Sequence, residues 1–86
     1  MRTVKKETVE YPAGYDVYHF TEDGYTVQLV ISKWRVALTV YNDFGETIKG
    51  ITLVGDAISN VLGPRWQKLK PLTIARRLYC AIDPTG

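Results

Sequence analysis

Asp23-Gly24, set between two stretches of alternating polar and apolar residues, most narrows what this chain can become. A two-residue hairpin turn needs positive φ, which Asp-Gly tolerates well, and its twist suits the strands it joins. Centred there, the hairpin opposes Glu22 with Tyr25, Phe20 with Val27, Tyr18 with Leu29 and Asp16 with Ile31. A second two-residue turn at Ser32-Lys33 opposes Ile31 with Trp34, Leu29 with Val36, Val27 with Leu38 and Tyr25 with Val40. Side chains alternate between the faces of a strand, so both turns must sort them the same way. They do. One face gathers Tyr18, Phe20, Tyr25, Val27, Leu29, Ile31, Trp34, Val36, Leu38 and Val40, the expected core. The other gathers Val17, His19, Thr21, Thr26, Gln28, Val30, Arg35, Ala37, Thr39 and Tyr41, a mixed set expected to stay accessible.

The flanking segments complete an α+β domain. Asn42-Asp43-Phe44-Gly45 reads as a loop, and a further strand spans about 47–54 with Ile51 and Leu53 inward. Gly50 in that strand suggests a bulge. Residues 1–14 are expected to form an edge strand or an arm, ended by Pro12-Ala13-Gly14. The sheet occupies 15–54 and a helical region 55–83. Asp56 is the expected N-cap of a helix through Leu62, stopped by Gly63-Pro64. Pro71 is expected to interrupt the next segment, and Thr73 to cap a helix over 74–82 that Asp83-Pro84 ends. Its stripe Ile74, Leu78, Ala81 and Ile82 is apolar. Strands followed by helices predict an antiparallel meander of about four strands with C-terminal helices packed on one face. All 86 residues form one domain.

Catalytic and metal chemistry find little purchase. The chain has one His and one Cys, His19 and Cys80, far apart in sequence, whereas a zinc site needs three or four ligands at suitable spacing. No spacing singles out a carboxylate pair, and neither a Walker nor a dinucleotide fingerprint occurs. A non-enzymatic protein without a cofactor is expected. A single cysteine permits no internal disulfide, which points to a reducing, cytoplasmic setting. No apolar run approaches the roughly 20 residues that span a bilayer, so no membrane partner is expected.

Charge is unevenly spread. Residues 1–56 carry six basic groups against eight acidic ones; residues 57–86 carry Arg65, Lys68, Lys70, Arg76 and Arg77 against Asp83 alone. Such asymmetry fits contact with nucleic acid or an acidic protein, although a solvated basic helix face gives the same count. The expected contact residues are Lys33, Arg35 and Tyr41 from the sheet, with Arg65, Trp66, Lys68 and Lys70 from the basic stretch after the first helix. Basic groups neutralise phosphates, and exposed rings stack on bases.

Lys49-Gly50-Ile51-Thr52-Leu53, followed by Asp56 and an apolar helix, resembles the positive-cofactor-four type of transcriptional coactivator. Members of that family bind single-stranded DNA. The resemblance covers residues 34–62, with Trp34–Tyr41 in the place of the family's third strand. It implies a curved four-stranded antiparallel sheet with a C-terminal helix, dimerisation through those helices, and Lys49 as a phosphate contact. Gly63-Pro64 departs from the family's long continuous helix.

The expected function is therefore binding of single-stranded DNA or RNA through a sheet face and basic residues. The alternative is a small protein-interaction module, of the inhibitor or adaptor type encoded by phages and mobile elements, possible as a homodimer through an edge strand or the 74–82 stripe.

Overall fold

The computed structural model describes residues 2–9, 14–22 and 24–82, with side chains for 14–21 and 24–82. Five strands form one antiparallel sheet in sequence order: β1 (Arg2–Val9), β2 (Tyr15–Glu22), β3 (Tyr25–Ser32), β4 (Arg35–Tyr41) and β5 (Thr47–Val54). Helix α1 (Asp56–Leu62), a single 3₁₀ turn (Trp66–Lys68) and helix α2 (Pro71–Ile82) follow. The arrangement is the expected α+β one, with β1 taking the edge position. The proposed ends at Pro12-Ala13 and Asp83-Pro84, and Asp23 itself, lie outside the described residues.

The first hairpin has the expected register: Glu22 opposes Tyr25, Phe20 opposes Val27 and Tyr18 opposes Leu29. The second differs. Leu29 opposes Leu38, Val27 opposes Val40 and Ile31 opposes Val36, so the loop residues are Lys33-Trp34 rather than Ser32-Lys33. Moving a turn by one residue moves the pairing by two, which leaves each side chain on its original face. Face sorting thus survives the shift, but Trp34 leaves the core for the hairpin tip. Ser32 fixes the turn there: the Arg35 N–H donates to Ser32 Oγ at 3.0 Å, and the Ser32 hydroxyl donates to the Arg35 carbonyl at 3.1 Å.

Phe20, Val27, Leu29, Val36, Leu38 and Val40 form the buried sheet side of the core, packed by Ile58, Leu62, Trp66, Ile74, Ala75 and Leu78. Tyr18 and Ile31 pack at its margin, while Tyr25, beside the first turn, is exposed rather than buried. Ile51 and Leu53 point inward as expected. Gly50 fits close to β4, where a Cβ would press on the Leu38 carbonyl at 3.0 Å. The bulge in β5 lies nearer its start, between the pairs of Val40 and Tyr41.

Two helix starts differ from expectation. Gly55, not Asp56, is the N-cap of α1, and no side chain caps it. Gly55 has φ 58°, a region that disfavours side chains, so the chain leaves β5 through a residue only glycine fills easily. Asp56 then occupies the first turn, where its charge suits the helix dipole. α2 begins at Pro71, before Thr73. Proline's missing N–H costs nothing at the first helical position, so Pro71 starts the helix rather than interrupting it. Arg76 and Arg77 consequently lie mid-helix, and Arg77 donates to the Leu62 carbonyl at 2.8 Å, closing the end of α1.

Lys49, alternating with Ile51, also faces the helices. Its ammonium lies 4.5 Å from the centre of the Tyr79 ring and links β5 to α2. A double-mutant cycle of Lys49→Met and Tyr79→Leu in urea unfolding should give a coupling of about 0.5–1 kcal/mol. Strictly additive effects would mean that the contact contributes nothing.

Candidate functional site

All the helical elements cover one face of the sheet. On the other face Val17, Val30 and Ala37 form an apolar row, beside a polar row of His19, Gln28 and Thr39. Val17 is buried even there, in an interior strand beside Val30. Tyr41 lies on this open face and its hydroxyl donates to Gln28 Oε1 at 3.1 Å, which holds the ring in place.

Among the described residues, the two most exposed rings stand at opposite ends of β4. Trp34 is 71% exposed and Phe44 is 86% exposed. Their settings differ in charge. Phe44 lies in a loop closed by Asn42, whose Oδ1 accepts from the Phe44 and Glu46 N–H groups at 2.9 and 3.0 Å. Asp43 and Glu46 flank it, a setting that repels phosphate. Trp34 stands between Lys33 and Arg35, both exposed. Arg35 opens β4 on the same face as Tyr41, opposite Val54 of β5.

Beside this tip, on the helical side, lies an open groove of about 390 Å³. Tyr15, Asp16, Tyr18 and Lys33 line one wall, and Trp66, Gln67, Leu69 and Pro71 the other. Arg65, Gln67, Lys68 and Lys70 are exposed on that second wall's segment, while Trp66 and Leu69 face inward. The 3₁₀ turn sets this pattern, burying Trp66, placing Leu69 three residues on at the margin of the core, and turning the cations out.

The eight residues expected from sequence therefore divide. Lys33 borders the groove whose far wall belongs to the segment carrying Arg65, Lys68 and Lys70, and Arg35 adjoins Lys33 at the tip. Tyr41 shares the open face with Arg35 but lies at the far end of β4. Trp66 is 7% exposed and belongs to the core, so it offers no ring for stacking. Lys49 faces Tyr79 on the helical side, away from the open face. Trp34 is the addition. Its signal in the sequence was the run Lys33-Trp34-Arg35, hidden by the one-residue difference in turn position.

Among the described residues, no group of three or more His, Cys, Asp or Glu could hold a metal ion, and no helix is long and apolar enough to cross a membrane. Compared with protein-family models, curated proteins and solved structures, the chain matches none.

Proposed function

We propose that this protein binds single-stranded nucleic acid, without catalysis, through the Lys33-Trp34-Arg35 tip and the exposed cations Arg65, Lys68 and Lys70 of the segment across the groove. One observation carries the reading: a tryptophan 71% exposed in a side-chain-braced turn between two cations. An indole left in water there adds nothing to the core. It can stack on a base in any sequence, at about 1–3 kcal/mol per base, while the flanking cations neutralise the adjoining phosphates. Tyr41, Gln28 and His19 extend the surface with polar groups. The partner class agrees with the one implied by the Lys49–Leu53 resemblance, although Lys49 engages Tyr79 instead of the open face.

Fluorescence anisotropy of labelled oligonucleotides tests this. Each engaged phosphate should add about 0.7 to the slope of log affinity against log salt. If three to five cations engage, the slope should fall between about −2 and −3.5. No binding at low salt, or binding indifferent to salt, would reject the reading.

On the sheet face opposite the helices, the half-buried Val30 and Ala37 beside the buried Val17 favour a second reading, recognition of a protein partner through the same face. Trp, Tyr and Arg also dominate protein interfaces. Capture of a partner that persists after nuclease treatment, and is lost when Val30→Lys is introduced, would favour it over nucleic acid.

A further inference from the structure

We propose that the free edge of β5 is a self-association surface, on which a second copy of this chain pairs strand to strand about a two-fold axis. The sheet has two edges, β1 and β5, and the chain treats them differently. Exposed edges invite pairing with other chains, and proteins usually blunt them with charge, proline or bulges. β1 has such devices: Lys5, Lys6 and Glu7 in its sequence, and a register break between Thr3 and Lys5. β5 has few. It contains no proline, and its single charge, Lys49, faces Tyr79 on the helical side. Its bulge is confined to the Tyr41 end, so Lys49–Val54 pairs regularly with β4. Among the described residues no other strand occupies its outer side.

The edge is self-complementary. Ile48 and Val54 are 47% and 59% exposed, and each lies three residues from Ile51. A two-fold axis at Ile51 opposes Ile51 with its copy, Gly50 with Thr52, Lys49 with Leu53, and Ile48 with Val54. Directly opposed residues in an antiparallel pair point to the same face, so this register keeps both helical layers on one side. The result is a continuous ten-stranded sheet, five strands from each copy. It buries the two exposed apolar side chains of each chain against each other and leaves no like charges opposed. The α2 stripe cannot serve this purpose, because Ile74 and Leu78 are already buried in the chain's own core. A single strand pair is a small interface, which sets the association in the micromolar range of weak complexes.

This pairing requires no nucleic acid, and its test uses none. Sedimentation equilibrium of the full chain, from low-micromolar to submillimolar concentration, should show the mass rising from 9.8 kDa towards twice that value. Ile48→Lys with Val54→Lys puts lysine opposite lysine at both seams and should weaken association by at least about tenfold. Ile48→Glu with Val54→Lys should restore it, since each seam then opposes unlike charges. Both positions are exposed in the single chain, and circular dichroism would show that each variant remains folded. A wild-type mass of 9.8 kDa throughout overturns the proposal. So does a dimer indifferent to the two lysines, or a Glu/Lys variant as monomeric as the Lys/Lys one.

Discussion

Phe20→Ala should remove most of the stability of this domain, lowering the urea midpoint by more than about 1 M or leaving the chain unfolded in buffer. Phe20 is fully buried in β2, opposite Val27, with the Tyr18 ring stacked 6.4 Å from its own. Truncating such a side chain removes its transfer energy and leaves a cavity, at a combined cost of about 3–5 kcal/mol. A domain of this length holds roughly 4–13 kcal/mol in all. Thr21→Ala, one residue on and facing the opposite way, is exposed and should change stability by no more than about 0.5 kcal/mol. Equal effects at the two positions would contradict the assignment of Phe20 to the core face and Thr21 to the open one.

The alternation behind that contrast is legible in the sequence because Asp23-Gly24 leaves little freedom in where the first hairpin bends. The second hairpin has no comparable dipeptide. Ser32-Lys33 and Lys33-Trp34 both sort Val27, Leu29, Ile31, Val36 and Leu38 inward, since the two pairings differ by a whole period of the strand. Only the residues inside the turn distinguish them, and Trp34 is the one whose burial changes. Its hydrophobicity argued for the core; the Ser32 hydroxyl, which braces the adjoining turn on both polar groups of Arg35, decided otherwise.

The candidate site was harder to read for a related reason. Placing Ile51 and Leu53 inward also commits Lys49 to the helical face, where Tyr79 receives it. That contact joins residues thirty positions apart, beyond the reach of any local pattern. Trp66 sits within a basic stretch, yet its 3₁₀ turn directs the ring into the core and the cations outward. Pro71 was ambiguous in a different way, because the same ring that breaks a helix interior is well suited to its first position.

Trp34→Ala should weaken binding of a single-stranded oligonucleotide by about 5- to 150-fold while leaving the urea midpoint nearly unchanged. The side chain is exposed and its main-chain carbonyl, which accepts from the Gly55 N–H at 3.0 Å, is retained by alanine. Lys33→Gln and Arg35→Gln act on a different quantity. Each should lower affinity across all sequences and make the salt slope shallower by about 0.7. Phe44→Ala, at a still more exposed ring set among carboxylates, should leave affinity as it was. This pattern separates stacking from non-specific stickiness of exposed aromatic groups, because only one of the two protruding rings has cations beside it. Lys49→Met provides a second contrast: it should lower stability slightly through the lost Tyr79 contact and leave the salt slope intact.

The most direct measurement is acrylamide quenching of tryptophan fluorescence with and without saturating oligonucleotide at low salt. Trp66 is buried, so Trp34 supplies nearly all of the quenchable emission in the free protein. Base stacking should reduce its emission and shield what remains from acrylamide, and Trp34→Ala should abolish both changes. A bound complex in which Trp34 stays as open to acrylamide as in the free protein would contradict the hairpin tip as the binding element.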